Sequence, residues 1–270
     1  MVSRSSVVRR VKFFLLTEHS GIAHHAVFSH RNLVISLLAV WIDGVSFFSA
    51  NTYFAQQYGM FTGSDMLITG VAFGMFFIVG GVATVLFGWV STRFRIVRVP
   101  GIIGLALIVL FNVLMATTKP STSEGIYWGY TVFAGLGLGS VIPTFMVAAQ
   151  LTTPPEMISL VSGLVSVSRP IGGVIGLAIN NAIFHNTLST QVPKKIGSAV
   201  SPFAFPSSSL GALITALTSQ DNAALNSVPG VTPDILAAAR GGLLDAYGLS
   251  FRNCWIAAAC LCLPGVIGKS

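Results

Sequence analysis

Two oppositely charged residues stand inside apolar stretches where charge is costly. Asp43 interrupts the run 33–55 about ten residues from its start, and Arg169 lies about twelve residues into the run 157–184. An arginine at the centre of a membrane-crossing helix costs about 2.5–3.5 kcal/mol on insertion scales, so such residues face a bundle interior or a water-filled path. At ~1.5 Å rise per residue both side chains come close to mid-membrane. Paired, they would offset much of the cost of burying either, and would place a titratable, switchable charge where a solute crosses. The same pair could instead do no more than fix the register of two helices, and both readings stay open here. Asn180 and Asn181, with Asn51, Ser166 and Ser168, are polar residues of these runs that either line the same cavity or bond a neighbouring helix.

The elements that must position these residues are set by composition. Hydrophobic residues make up 53% of the 270, charged residues only 9%, and mean hydropathy is +0.79. Soluble domains carry roughly 25% charge. The charges fall in gaps between apolar runs, which is the pattern of a multi-span membrane protein and excludes a globular enzyme. The net charge of +7 sits in short inter-helix segments and not on one amphipathic face, so it reports membrane topology and not a nucleic-acid partner.

A crossing helix needs about 20 residues. The runs 33–55, 66–90, 100–117, 126–151 and 157–184 meet that length or come close to it. A sixth, 253–268, has 16 residues with Pro264 inside it, and reads as a span cut off by the end of the chain. The predicted fold is an all-α membrane protein, a six-helix transmembrane bundle. Its parts are a cytosolic segment 1–32, five spans within 33–184, a long non-cytosolic loop 185–252 and a truncated sixth span 253–270.

Orientation follows from the short flanks. Arg4, Arg9, Arg10, Lys12 and Arg31 precede the first span, and Arg93, Arg95 and Arg98 follow the second, whereas the short loops of the opposite side offer only Lys119. The positive-inside rule puts both termini in the cytosol. In the long loop, Thr232, Pro233 and Asp234 form a helix-start signal, and Ile235, Leu236, Ala239, Leu243 and Tyr247 keep helical spacing. An amphipathic helix lying on the bundle is predicted there.

Other chemistry finds no support. Cys254, Cys260 and Cys262 lie in the last apolar run without a companion His or second cysteine pair, so no metal site is expected and packing explains them. No nucleophile elbow, His cluster or paired carboxylates occur within a span, so the chain is read as no enzyme, with no catalytic residues and no cofactor. No internal repeat is visible. Gly70 with Gly74, Gly135 with Gly139, and Gly172 with Gly176 are each four apart, a spacing that lets helix backbones approach closely in lipid. Pro143 and Pro170 lie inside spans, where neighbours or cavity water must satisfy the freed carbonyls.

The stretch Ser168-Arg169-Pro170-Ile171-Gly172-Gly173-Val174-Ile175-Gly176-Leu177-Ala178-Ile179 resembles the Arg-x-x-Gly-Gly-x-x-Gly-x-Ala-Ile pattern in the penultimate helix of fungal fourteen-span major facilitator drug:proton antiporters. The order of other features is also similar: His30-Arg31-Asn32 before Asp43-Gly44, the glycines 135, 137 and 139 before Pro143, and Gly230-Val231-Thr232-Pro233 before Ala246-Tyr247 and Phe251-Arg252. The resemblance runs from about residue 28 onward and is to the trichothecene efflux pump and siderophore-iron transporter branch. Gly88-Trp89-Val90-Ser91-Thr92-Arg93-Phe94-Arg95 resembles the degenerate second copy of the family's cytosolic gating loop, with Gly88 and Arg93 kept. Thr92 stands where the family has an acid and Arg95 where it has a glycine, and Pro170 replaces a small polar residue.

The resemblance implies the C-terminal half of a major facilitator fold. It implies a plasma-membrane exporter exchanging protons for a small-molecule toxin, drug or siderophore, and rocking about a central site against an N-terminal bundle that this chain does not hold. Asp43, Arg169, Asn180 and Asn181 are then the substrate-pathway candidates. The partners are the lipid bilayer, the substrate, protons and the missing bundle. Two other readings are a free-standing six-span dimeric carrier or channel, and a membrane fragment that binds a partner without transporting.

Overall fold

The computed structural model describes residues 31–94, 96–203, 207–218 and 231–267, and every regular element in them is helical. These are α1 (Arg31–Thr62), α2 (Met66–Phe94), α3 (Arg98–Thr117), α4 (Glu124–Leu151), α5 (Ile158–Val200), α6 (Ser207–Thr218) and α7 (Pro233–Ile267). All but α6 are long and apolar enough to cross a membrane, which gives the six expected spans. Arg95, in the run that resembles a gating loop, and the basic segment before Arg31 lie outside the described residues.

Local signals set the helix ends. After α1 the chain turns at Gly63, whose φ of 66° suits a residue without a Cβ, and the Gly63 N–H donates to the Gly59 carbonyl at 3.0 Å. After α3, Thr118 adopts extended geometry ahead of Lys119 and Pro120. Arg31, Val97, Arg98 and Thr152 share a cleft at one end of the bundle. At the other end Ser64 Oγ donates to Glu124 at 2.9 Å.

Helix packing shows a relation that the sequence does not. α1 lies along α5 and α2 lies along α4; α3 packs on α4, and α7 packs on α1. Exchanging α1, α2 and α3 for α4, α5 and α7 maps these four pairings onto one another, so the helices pack as two three-helix units with matching main contacts. Glycines make both principal crossings tight. A Cβ added at Gly135 would fall 2.8 Å from the Phe76 carbonyl oxygen of α2, and one at Gly139 would fall 2.6 Å from Ala83 Cβ. On the α1–α5 crossing, one at Gly172 would overlap the Trp41 carbonyl, and one at Gly176 would lie 2.7 Å from Val45 Cγ1. Two of the three glycine pairs thus serve as expected. The pair Gly70 and Gly74 does not, since nothing in the described residues comes within 4 Å of a Cβ at either. That face of α2 is open, along with Leu67, Val85 and Trp89.

The long contact between α5 and α7 has no counterpart between α2 and α3, and its cause is length. α5 has 43 residues and α7 has 35. At ~1.5 Å per residue they reach about 65 Å and 52 Å, well beyond a ~30 Å hydrocarbon core. Their surplus forms a helical stalk. Val192, Ile196 and Val200 of α5, Leu213 and Leu217 of α6, and Ile235 and Ala239 of α7 enclose a second small core there. A Cβ at Gly242 would lie 2.8 Å from the Lys195 carbonyl oxygen, so the two backbones are in contact. The segment read as loop from residue 185 is therefore helical through Val200, and the run read as a short sixth span from Asn253 is the end of a helix that starts at Pro233. Polar residues changed the surface of these helices without ending them. Thr232 caps α7 as its sequence predicts, accepting from the Ile235 N–H at 3.3 Å.

Candidate functional site

The α1–α5 crossing brings Asp43 and Arg169 together. A Cβ at Gly44 would overlap the Arg169 carbonyl oxygen, so the glycine after the acid is what lets α5 come close enough for contact. Arg169 Nε donates to Asp43 Oδ2 at 2.8 Å. The Asp43 side chain is fully buried, whereas that of Arg169 remains 25% exposed. The guanidinium carbon lies 4.1 Å from the centroid of the Phe47 ring, one helical turn beyond Asp43, in cation–π contact. Ser168 Oγ donates to the Leu37 carbonyl at 2.7 Å and holds α5 against α1 just below the pair.

Charge placement is uneven across this pair. Burying an ion carries a penalty of several kcal/mol, which a close partner and further hydrogen bonds must offset. Asp43 meets that need through one oxygen, and Oδ1 has no hydrogen-bond partner in the described residues. Arg169 uses Nε alone, leaving its two terminal nitrogens on the open side without a hydrogen bond in the described residues. A guanidinium is charged at any working pH and offers a fork of donors suited to carboxylates and other anions. The arrangement can hold a charge at mid-bundle, exchange one counter-ion for another, and register protonation of Asp43.

The two asparagines do not join this pair. Asn180 is fully buried and donates through Nδ2 to Ser49 Oγ at 2.7 Å, so it faces the interior of the bundle. Asn181 points the other way, into a cleft of about 520 Å³ between α1 and α5 that also holds Thr52, Gln56 and His185. Those three were not singled out in the sequence. Their signal was the spacing, Thr52 with Gln56 and Asn181 with His185, each four apart on one helix face. Asn51 and Ser166 are exposed.

Gly88 and Arg93 occupy the last two turns of α2, remote from the pair. Between them Thr92 Oγ1 donates to the Gly88 carbonyl at 2.8 Å, so the residue standing in place of the family's acid is bonded to its own helix. Among the described residues no group of His, Cys, Asp or Glu could hold a metal ion.

The sequence reading also missed a polar junction at the stalk end. Trp255 Nε1 donates to Gln57 Oε1 at 2.6 Å, and Gln57 Nε2 donates in turn to Thr118 Oγ1, joining α7, α1 and the end of α3. A glutamine inside an apolar helix was the available signal.

Comparison with known proteins agrees with this architecture. The sequence profile of the Major Facilitator Superfamily matches residues 4–177, reaching further toward the N-terminus than the motif resemblance did. Efflux pump DEP3 of Fusarium langsethiae is 27% identical over 212 residues, covering 76% of this chain and 38% of that pump. Efflux pump alnA of Emericella nidulans is 24% identical over 255 residues, covering 93% of the chain and 44% of the relative. Trichothecene efflux pump TRI12 of Fusarium sporotrichioides is 26% identical over 124 residues, covering 46% of the chain and 21% of that protein. The chain thus spans less than half the length of these relatives. All carry the names of transporters and none that of an enzyme.

Proposed function

Since the chain belongs to the major facilitator superfamily, we propose that it acts as the C-terminal six-helix bundle of a proton-coupled efflux transporter for small organic molecules. The observation that carries this reading is the Asp43–Arg169 pair. An acid fully enclosed by the bundle is joined to a guanidinium that stays 25% exposed on the open side, next to an aromatic ring. Lipid does not tolerate the polar groups of that side, Thr52, Gln56, Asn181 and His185. A second bundle with a hydrated cavity between the two satisfies them, and the partner is the N-terminal half of the transporter.

In this reading Asp43 and Arg169 couple protons to cargo. With Asp43 ionised the pair is closed, and protonation of Asp43 releases the guanidinium toward the cavity. Asn181 lines the cargo path and Asn180 supports it from behind through Ser49. Gly88 and Arg93 lie at the cytosolic side, where the basic segments 1–32 and 93–98 place both termini. The stalk of α5, α6 and α7 projects on the other side of the plasma membrane. The name of one relative, a trichothecene efflux pump, supports a toxin among the candidate cargoes of toxin, drug or siderophore.

The test is flux in the complete transporter. Asp43→Asn and Arg169→Ala should each reduce substrate efflux at least about tenfold per folded molecule in the membrane, after correction for any loss of folded protein, the loss expected for a group whose protonation or charge drives the step. Undiminished flux in both variants would leave the pair a register-fixing contact and sink the assignment.

A further inference from the structure

The interior of the bundle carries a column of polar side chains. On α1, Gln57, Tyr53, Ser49, Ser46 and Asp43 follow one another three or four residues apart and so share one helix face. None of the five is more than 3% exposed, although the surrounding core is apolar. From Gln57 to Asp43 the column rises over 14 residue steps, about 21 Å at ~1.5 Å per residue.

Four of the five levels are met by a polar or charged side chain from elsewhere in the bundle, whereas the Tyr53 ring packs against Phe184 and Phe251 and offers only its own hydroxyl. Asn180 of α5 donates to Ser49 Oγ at 2.7 Å, and Asn112 of α3 donates to Ser46 Oγ at 2.9 Å. Gln57 is held between Trp255 and Thr118. Thr118 in turn lines an open cleft of about 720 Å³ at the stalk end, together with the charged residues Lys119, Lys195, Asp245 and Arg252. The column therefore begins at an open, charged mouth and ends on a buried carboxylate.

Its members are only half satisfied by protein. Asp43 Oδ1, Asn112 Oδ1, Asn180 Oδ1 and the Tyr53 hydroxyl have no hydrogen-bond partner in the described residues. A buried polar atom of this kind is relieved by ordered water, which typically makes two to four hydrogen bonds to such groups. These four atoms are spread from the Tyr53 level to Asp43 and do not cluster at one point, so the groups that would bind water are spaced as a chain below the Gln57 junction.

We propose that this column is hydrated and conducts protons between the Thr118 cleft and Asp43, so that Asp43 is loaded through the bundle from the stalk end and not from the open side where Arg169 lies. A proton entering at the cleft passes by hydrogen-bond exchange along water and hydroxyls and binds Asp43 Oδ1. The carboxylate becomes a neutral acid, and the guanidinium keeps its charge. The titratable or charged groups beside Asp43 are Arg169 from α5 and Cys262 from α7, whose Sγ donates to the Ile42 carbonyl at 3.8 Å, while α3 presents the neutral Asn112. This inference rests on the reading of Asp43 as the proton-exchanging group.

Three native cysteines make the column measurable without a transport substrate. Cys254 Sγ donates to the Asn180 carbonyl at 3.3 Å, near the Ser49 level, and Cys262 lies beside Asp43, beyond the Asn112 level. Cys260 is exposed on the outside of the bundle and serves as the control. The full chain is placed in lipid nanodiscs in three single-cysteine forms, and the thiol S–H band is followed by infrared spectroscopy after transfer to heavy water. Cys254 and Cys262 should both exchange within minutes. Asn112→Leu should slow Cys262 by about tenfold or more and leave Cys254 unchanged, because buried exchange requires water access or opening. Cys254 protected for hours in the unmutated column would overturn the proposal. So would fast exchange of Cys262 that Asn112→Leu does not slow, since Asp43 would then be reached from the Arg169 side. The comparison of Cys254 with Cys260 needs no Asn112 variant and decides the matter if that variant fails to fold. A dry column leaves the transport reading standing, whereas a wet column with full flux in Asp43→Asn overturns the transport role alone.

Discussion

Gly44 lies directly beneath the backbone carbonyl of Arg169, with no room for a methyl group between the two helices. Adjacent to it in sequence, Asp43 reaches Arg169 Nε at 2.8 Å. The ion pair is thus a consequence of helix packing: the charge meets its partner because the neighbouring residue has no side chain.

Gly44→Ala should therefore separate α1 from α5 and lower stability by about 1–3 kcal/mol, the range for overpacking. Gly70→Ala, made on the open face of α2, should change it by less than about 0.5 kcal/mol. Thermal unfolding in one detergent checks both. Equal effects would show that the α1–α5 crossing is not as tight as the backbone contact requires.

Removing one member of the pair should be worse than removing both. Arg169→Ala leaves a buried carboxylate alone, for which about 3–5 kcal/mol is the usual loss, toward the lower end here because Arg169 is partly exposed. The double change Asp43→Asn with Arg169→Ala should lose less than the sum of the two single changes. A double-mutant cycle read by chemical unfolding in micelles gives the coupling, and additivity would mean that the pair is solvated and weak.

The Trp255–Gln57–Thr118 junction predicts a third pattern. Gln57→Leu strands the Trp255 indole N–H in a core where that residue is 1% exposed, which costs about 1–3 kcal/mol for an unsatisfied buried donor. Adding Trp255→Phe should restore part of that loss. Trp255 emission in a variant with the other tryptophans replaced should shift when Gln57 is changed, and a constant spectrum would show that the hydrogen bond does not form.

Ala239→Asp should unfold the stalk and spare the bundle. Ala239 is fully buried between α5, α6 and α7, and a carboxylate there has no partner. Limited proteolysis should cut 186–250 in the variant at doses that leave the parent whole, while the remaining spans stay protected. Protection equal to the parent would mean that the second core contributes nothing to holding the stalk.

Thr232→Ala tests the cap of α7. Loss of the Thr232 Oγ1 contact with the Ile235 N–H should destabilise that helix start by about 0.5–2 kcal/mol. Faster hydrogen exchange of amides 235–237, with amides near Trp255 unaffected, is the expected outcome.

Much of this architecture was legible in order along the chain. Six apolar runs gave six crossing helices, the spacing of Gly135 with Gly139 and Gly172 with Gly176 marked two close contacts, and Thr232-Pro233-Asp234 marked where α7 begins. These features depend on residue type and local spacing alone, through the length of a bilayer, the missing Cβ and the unpaired amides of a helix start. The Asp43–Arg169 pairing was also within reach, because two isolated opposite charges at matching depth have few other partners in an apolar medium.

What only the tertiary structure decided was orientation about each helix axis and extent beyond the membrane. Asn180 and Asn181 are neighbours in sequence, yet one bonds Ser49 inside the bundle and the other faces the cleft with His185. Gly70 and Gly74 share the spacing of the packed pairs and meet nothing. The stalk was hidden because polarity marks a segment as unfit for lipid but does not say whether it is a loop or a water-facing helix. In each case the deciding quantity is which surface lies opposite. In a span that is apolar almost all round, hydrophobic periodicity is too weak to tell one side from another, so only contact with the neighbouring helices fixes it.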